Sequence, residues 1–175
     1  RCAGSSPPRR TGASLPLPGN QIGYEREQPI AFSHLLHAGD LKIDCRFCHL
    51  GLETSRHAGL PPTQVCMGCH KVVTAPLSMV RAEEQRAAGA IPPQAPRPVM
   101  SPEIGKLYAA MGWNEKAEPV PGAEPASIPW VRVHNLPDHA YFNHAQHVAV
   151  GKLECQECHG PIDEKMDVAE QWAPL

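Results

Sequence analysis

Three copies of one pentapeptide hold the residues of this chain that are best suited to chemistry. Each copy has two cysteines three positions apart and a histidine directly after the second one: Cys45, Cys48 and His49; Cys66, Cys69 and His70; Cys155, Cys158 and His159. The pattern Cys-x-x-Cys-His is typical of c-type haem attachment. Both thiols add to vinyl groups of the porphyrin, and the histidine then places an imidazole nitrogen on the iron. The sequence therefore predicts three covalently bound haem c groups.

Disulfides and zinc knuckles are the alternative interpretations of these cysteines. Seven cysteines in 175 residues are fewer than a disulfide scaffold contains. Zinc sites usually pair Cys-x₂₋₄-Cys with His-x₃₋₅-His or with a second cysteine pair. Neither alternative requires a histidine directly after every cysteine pair, so haem is the preferred interpretation.

A haem iron that is bound by histidine on one side needs a second axial ligand. Candidates come from a repeated segment, Phe-x-His-x-x-His, whose copies lie 110 residues apart: Phe32, His34 and His37; Phe142, His144 and His147. In both copies the first histidine precedes a haem cysteine by eleven residues. An internal repeat of this kind indicates that one haem-binding unit is present twice.

The spacing of the paired histidines suggests which haem each of them binds. Positions i and i+3 of a helix lie on nearly the same face, so one short helix can serve two irons. We expect His34 and His144 to bind the haem of the motif that follows each of them, and His37 to bind the haem at Cys66. No motif remains for His147, since the matching motif would begin just beyond Leu175. We therefore expect the natural chain to continue with at least one more haem motif.

The elements that must position these residues are few and short. Twenty prolines and only nine aromatic residues in the chain predict a mostly irregular fold with short α-helices and a core formed by haems. Four segments follow from the pattern: a flexible tail (1–28), a first dihaem unit (29–73), a helical and proline-rich connector (74–127) and an incomplete second haem unit (128–175).

Two helices are predicted within the connector. Residues 77–90 carry apolar residues among charges and end at Gly89 and the prolines that follow. Ser101 suits an N-cap with Pro102 in the first turn, opening a helix through Met111 with Gly112 after it.

The remaining polar residues are less informative. His57 and His139 are expected in exposed loops. His134 could be either a distal ligand for a further haem or a partner for a haem propionate. Arg132 could also pair with a haem propionate. Cys2 suits a lipidated N-terminus or, in preference, an incidental thiol.

A formal net charge of −2 without a basic stripe gives no indication of nucleic-acid binding. No apolar run in the chain is long enough to cross a bilayer.

Three stretches of the chain resemble the pentahaem cytochrome c subunit of bacterial alternative complex III. They are residues 29–49, which include the first histidine pair and motif, residues 59–70 around the second motif, and residues 128–138. The resemblance covers roughly residues 28–73 and 101–175. It implies a fold of the class III cytochrome c type, in which Phe-x-His-x-x-His supplies ligands to two different haems.

The same resemblance implies a function. Such complexes oxidise menaquinol or another quinol and pass electrons through haems and iron–sulfur clusters, with other cytochrome c subunits, towards a periplasmic acceptor. This subunit carries electrons and is not an enzyme on its own. The family normally has five motifs, with the fourth just after a stretch like residues 171–175, so the present sequence resembles a form truncated after the third. Members also tend to carry an anchoring segment upstream.

Two alternatives to a membrane-complex subunit remain open. With histidine on both faces, each iron has no position for a substrate, which favours electron transfer over catalysis. A free periplasmic class III electron carrier satisfies the same pattern, and a multihaem reductase of nitrite or sulfur compounds is the third possibility. Because thioether attachment is linked to export, all three interpretations place the chain outside the cytoplasm.

Overall fold

A computed structural model describes residues 22–134, 136, 139–165 and 169–172. The described residues form short helices joined by irregular segments, with no β-strand among them and one isolated antiparallel bridge between Trp113 and Pro119. In chain order the helices are π1 (Leu35–Asp40), α1 (Cys45–Cys48), α2 (Thr63–His70), α3 (Leu77–Gly89), α4 (Pro102–Ala110), π2 (Gln146–Val150), α5 (Cys155–His159) and α6 (Ile162–Lys165). The predicted fold class, irregular with short helices, is confirmed.

The two connector helices form where the sequence predicts them. Helix α3 ends at Gly89. Helix α4 begins after Ser101, whose side chain accepts a hydrogen bond from the backbone N–H of Ile104 at 3.3 Å. It ends at Ala110 because Gly112, with φ of +69°, turns the chain away from the helical path. Within the described residues no helix has the length and apolar character needed to cross a membrane.

A small apolar core joins the connector to the second haem motif. It contains Ile30, Met67, Leu107 and Tyr108, of which Tyr108 is 3% exposed. The hydroxyl of Tyr108 donates to the carbonyl oxygens of His70 and Lys71, each at 3.2 Å. Helix α4 therefore holds the C-terminal end of α2, where the second motif lies.

The two histidine segments form short helices, as their spacing predicts, and the structure shows that these are π-helices. In π1 the N–H of Leu41 donates to the carbonyl of Leu36 at 2.9 Å, and in π2 the N–H of Gly151 donates to the carbonyl of Gln146 at 2.9 Å. These five-residue steps widen the turn, and such turns are frequent at functional sites. The two copies of the sequence repeat thus adopt the same backbone conformation.

Matching lysines end both π-helices. Lys42 and Lys152 have φ of 55° and 56°, the left-handed region that a lysine rarely adopts. The next residue in each copy then donates its N–H back to a histidine carbonyl, from Ile43 to His37 at 3.0 Å and from Leu153 to His147 at 3.2 Å. The chain is thereby turned sharply from each histidine pair towards the following haem motif.

The described end of the predicted N-terminal tail is attached to the second haem unit. The N–H of Gly23 donates to the carbonyl of Gln171 at 2.7 Å, and the N–H of Gln171 donates to Tyr24 at 3.0 Å. The Gln28 side chain also exchanges hydrogen bonds with the backbone of Val131. Residues 22–28 are thus paired with the fold, while Cys2 lies outside the described residues.

Helix α6 packs on π1 and brings the two units together. Gly39 is buried, and a Cβ atom at this position would collide with the carbonyl oxygen of Asp163 in α6. Only glycine allows this close approach of the two backbones.

Candidate haem-binding site

The two cysteines of each Cys-x-x-Cys-His motif lie on a short helix, so the two thiols emerge one turn apart on the same side. Local capping explains why such short helices form. The side chain of Asp44 accepts from the N–H of Arg46 at 2.7 Å at the start of α1, and Glu154 with Glu157 forms a capping box at the start of α5. These caps orient the first and third cysteine pairs.

The first motif lies between the other two. The thiol of Cys45 lies near that of Cys155, whereas Cys48 lies near both Cys66 and Cys69. Burial, followed by the nearness of Cys155, raises the pKa of Cys45 to about 11. Burial likewise raises the pKa of Cys48 and Cys66. These thiols are therefore protonated at neutral pH in this arrangement.

Backbone carbonyls anchor the histidines of the first two motifs. Nδ1 of His49 lies 2.7 Å from the carbonyl oxygen of Gly59, and Nδ1 of His70 lies 2.8 Å from that of Val73. A carbonyl can only accept, so the ring proton is on Nδ1 in both cases. In the neutral form of each ring the lone pair is then on Nε2, the tautomer that a metal ligand needs.

Three histidines of the repeated segments are anchored in the same way. Nδ1 of His37 donates to the carbonyl of Ser33 at 2.9 Å, and Nδ1 of His147 donates to that of Asn143 at 2.8 Å. Nδ1 of His144 donates instead across the molecule, to the carbonyl of Arg56 at 3.0 Å. All three rings therefore carry a proton on Nδ1, which leaves Nε2 as the nitrogen available to a metal, as in the first two motif histidines.

The third motif histidine has a different anchor. Nδ1 of His159 lies 3.1 Å from Nε2 of His134, and the two rings meet edge to face with centres 4.5 Å apart. Burial, followed by the nearness of His134 and His144, lowers the pKa of His159 to about 4. Burial also lowers the pKa of His134. Both rings are therefore neutral at physiological pH.

Two pairs of imidazoles face each other at distances that suit an iron between them. The ring centres of His37 and His70 are 6.0 Å apart, and those of His144 and His159 are 6.4 Å apart. With metal–nitrogen bonds of about 2 Å, two axial imidazoles have ring centres about 6 Å apart. Both pairs are ones that the sequence spacing predicts, so these residues fit a haem iron.

Phenylalanine packs identically against both histidine pairs. The ring of Phe32 meets that of His34 edge to face, with ring centres 4.9 Å apart, and stacks on that of His37 at 4.4 Å. In the second copy Phe142 meets His144 edge to face at 4.8 Å and stacks on His147 at 4.4 Å. The phenylalanine of the repeat therefore contacts both rings of each pair, one ring edge to face and the other by stacking.

The other predicted ligands differ in their surroundings. His34 and His49 both lie near enough to His159 to lower its pKa, so they belong to the same region of the fold. His147 is exposed, and none of the described motif histidines makes a ring contact with it. His57 and His139 are also exposed, as expected for loop histidines.

Apolar side chains beside the motifs lie open in a way that suits a porphyrin. Phe47 and Leu50 are 55% and 65% exposed at the first motif, and Val72 and Val73 are 80% and 53% exposed after the second. The described residues contain no group of three or more His, Cys, Asp or Glu side chains arranged to hold a metal ion.

Several anchors were not predicted from the sequence. The carbonyls of Gly59, Val73 and Arg56 carry no sequence signal, because every residue has the same acceptor. His134 was singled out, but with roles other than a contact with His159. The guanidinium Nε of Arg132 donates to the carbonyl of His134 at 2.8 Å.

The chain is similar to a curated protein, the multihaem cytochrome c subunit of menaquinone reductase from Nitratidesulfovibrio vulgaris strain Hildenborough. The two are 28% identical over 135 residues, which are 77% of this chain and 47% of that protein. The chain thus matches about half the length of this relative. No protein-family model matches the chain. The similarity confirms the cofactor class predicted from the motifs, haem c.

Proposed function

We propose that this chain is a multihaem c-type cytochrome that transfers electrons as a subunit of a quinol-linked membrane complex. The observation that carries the proposal is the facing of His144 and His159, with ring centres 6.4 Å apart, and the matching pair of His37 and His70 at 6.0 Å. An iron held by imidazole on both faces has no position for a substrate, so it can only exchange electrons.

The anchors and the ring pairs support the roles of His37 and His144, and the spacing of the sequence supports that of His34. Thioether bonds form at the six motif cysteines, and His49, His70 and His159 are the proximal ligands. His37 completes the haem of the second motif, His144 that of the third and His34 that of the first. His147, with its Nδ1 anchored and its ring exposed, is assigned to a haem outside the described residues. Residues 29–73 and 128–175 then form the two haem units, joined by the connector.

The bound haem irons supply one-electron oxidation and reduction. The chain's own residues hold each imidazole in a fixed tautomer and plane, so little reorganisation accompanies a change in charge. Imidazole on both faces also gives a lower potential than the histidine–methionine pair of many cytochromes c. A low potential suits exchange with a quinol pool.

The cysteine contacts suggest a route for the electrons. Cys45 lies near Cys155 on one side of the first motif, and Cys48 lies near Cys66 and Cys69 on the other. Electron tunnelling falls steeply with distance, so neighbouring motifs exchange electrons fastest. We therefore propose the order second motif, first motif, third motif, which differs from their order along the chain.

The type of complex rests on two similarities. The curated relative is named as a subunit of a menaquinone reductase, and the sequence motifs resemble the pentahaem subunit of alternative complex III. We propose the alternative complex III type, with iron–sulfur and cytochrome c subunits as partners, on the periplasmic side of the membrane. The chain would be peripheral, or anchored through a further N-terminal segment or through the complex.

Haem content and spin state test the cytochrome assignment. The protein should be exported in a host with c-type cytochrome maturation, and haem measured by the pyridine haemochrome method together with intact mass. We expect three covalent haems in this chain and a ferric electron paramagnetic resonance spectrum that is entirely low-spin. Absence of covalent haem would contradict the assignment, and a high-spin haem in the unaltered protein would instead favour the reductase alternative.

Purification from native membranes tests the complex. A tagged chain in its own host should co-purify with iron–sulfur protein, and a reduced menaquinone analogue should reduce its haems within those membranes. A chain recovered only as a soluble monomer, with haems that the quinol analogue does not reduce, would favour the free periplasmic carrier.

A further inference from the structure

We infer that His134 is a positioning residue that fixes the tautomer and orientation of His159. The inference rests on the proposed function, in which His159 is an axial haem ligand. It begins from the 3.1 Å contact between Nδ1 of His159 and Nε2 of His134. The first two motifs use backbone carbonyls for this purpose, from Gly59 and Val73. The third motif uses a side chain.

The direction of the hydrogen bond follows from ligation. An imidazole that gives the lone pair of Nε2 to iron carries its proton on Nδ1. Nδ1–H of His159 is then the donor and Nε2 of His134 the acceptor. The rings are inclined by 76°, so the edge of one ring meets the other, and they do not stack face to face. His134 therefore acts on the His159 ring in the way that carbonyls and carboxylates act on other metal-bound histidines.

His134 is itself held in place by its neighbours. Nε of Arg132 donates to the carbonyl oxygen of His134 at 2.8 Å, and the intervening Val133 is buried, at 8% exposed. His134 is half-buried, away from the free rotation of an exposed loop residue. A residue that positions the His159 ring has to be held in place itself, and these contacts hold the backbone of His134.

An acceptor on Nδ1–H increases electron donation from the imidazole to the metal, which favours the ferric state. Removing the acceptor should therefore raise the midpoint potential of one haem. Loss of such a partner typically costs about tenfold or more in metal affinity. A tenfold loss of preference for ferric over ferrous iron corresponds to an upward shift of about 59 mV for a one-electron couple.

The experiment compares three variants of the haem-loaded protein. His134→Phe keeps a ring but removes the acceptor, and His134→Gln restores an acceptor at a similar distance from the backbone. His139→Phe changes an exposed histidine of the same unit and serves as the control. Haem content, spin state and the three midpoint potentials are measured for each by pyridine haemochrome, electron paramagnetic resonance and spectroelectrochemical titration.

The expected result is three haems and a fully low-spin spectrum in every variant, with one potential raised in H134F and restored towards its original value in H134Q. Unchanged potentials in H134F would overturn the inference. A new high-spin haem in H134F would also overturn it, because His134 would then be an axial ligand itself. Absence of covalent haem in the unaltered protein would instead contradict the proposed function.

A second measurement needs no variant and applies if H134F fails to mature. In reduced protein with ¹⁵N-labelled histidine, low-spin ferrous haem is diamagnetic, so a nitrogen–nitrogen coupling across the hydrogen bond is observable. We expect this coupling between Nδ1 of one histidine and Nε2 of another. Its absence in a reduced protein that contains all three haems would overturn the inference.

Discussion

Nδ1 of His144 donates a hydrogen bond to the backbone carbonyl of Arg56, 3.0 Å away, although the two residues are 88 positions apart in the chain. The N–H of His144 donates to the same carbonyl at 3.3 Å, and Ala145 donates to Ser55 at 3.1 Å. A loop of the first haem unit thus orients a proposed axial ligand of the second. The two haem units are therefore linked through the hydrogen bond of a single imidazole, that of His144.

The first prediction concerns this loop. Gly51 starts the loop with an N–H bond to the carbonyl of Ala58 at 2.9 Å, and a Cβ atom there would collide with the carbonyl of His57. Gly51→Ala should displace the loop, at a cost of about 1–3 kcal/mol in the free energy of unfolding. Electron paramagnetic resonance should then show altered g-values for the haem of the third motif, and also for that of the first, because the carbonyl of Gly59 at the end of this loop anchors His49.

Arg56→Ala is the matched control for the loop variant. It removes the guanidinium, which lies 4.9 Å from the ring centre of Tyr141, but it keeps the carbonyl. We expect its haem spectrum to resemble that of the unaltered protein. A spectrum of G51A that is equally unchanged would show that the loop does not control the His144 ring.

The second prediction concerns His144 itself. His144→Ala removes one of two facing imidazoles, so one haem of the three should become high-spin while two stay low-spin. Integration of the ferric electron paramagnetic resonance signals measures this proportion. The exposed His57 provides the control, and His57→Ala should leave all three haems low-spin. Three low-spin haems in H144A would rule out His144 as a ligand.

The third prediction tests the pairing of His37 with His70, whose rings are inclined by 60° at 6.0 Å. Methionine in place of an axial histidine raises the potential of a haem. His37→Met should raise one of the three midpoint potentials by on the order of 100 mV, within the range that axial ligands span. His139→Met is the control. A potentiometric titration in which no haem shifts would exclude the pairing.

The fourth prediction concerns pH and the connector. The carboxylate of Glu83 accepts hydrogen bonds from Arg86 at 2.7 Å and from Nε of Arg97 at 3.1 Å, which ties the proline-rich segment to α3. The Arg86 and Arg97 hydrogen bonds hold the pKa of Glu83 well below its usual range. A carboxyl with a lowered folded pKa stabilises the fold above its unfolded pKa, about 4.3, and loses this effect as the pH falls below that value.

Glu83→Gln should therefore unfold at a lower temperature than the original protein at pH 7. The difference should shrink progressively as the pH falls below about 4.3. Thermal unfolding of the haem-loaded protein, followed by circular dichroism at a series of pH values, measures it. Glu84→Gln, at an exposed position beside it, should show no such dependence. A constant difference across the pH range would argue against the ion pair as its cause.

The chemistry of this chain was readable from the sequence because it depends on short spacings. Attachment needs two thiols one helical turn apart with a histidine next to them, and this is a property of five consecutive residues. The repeat around Phe32 and Phe142 was equally visible, and both copies have the same ring contacts. Helices α3 and α4 followed from local caps and breakers, such as Ser101 and Gly112.

The tertiary structure decided what lies between distant parts of the chain. The sequence spacing could not show that the histidine segments would widen into π-helices, because the choice depends on packing around each ring. It also could not show that Arg56 anchors His144, since a backbone carbonyl has no identity in the sequence. Likewise, only the folded chain brings His134 to His159 and places the first motif between the other two. Covalent attachment is a local event, whereas the order and orientation of the sites depend on contacts that only the folded backbone makes.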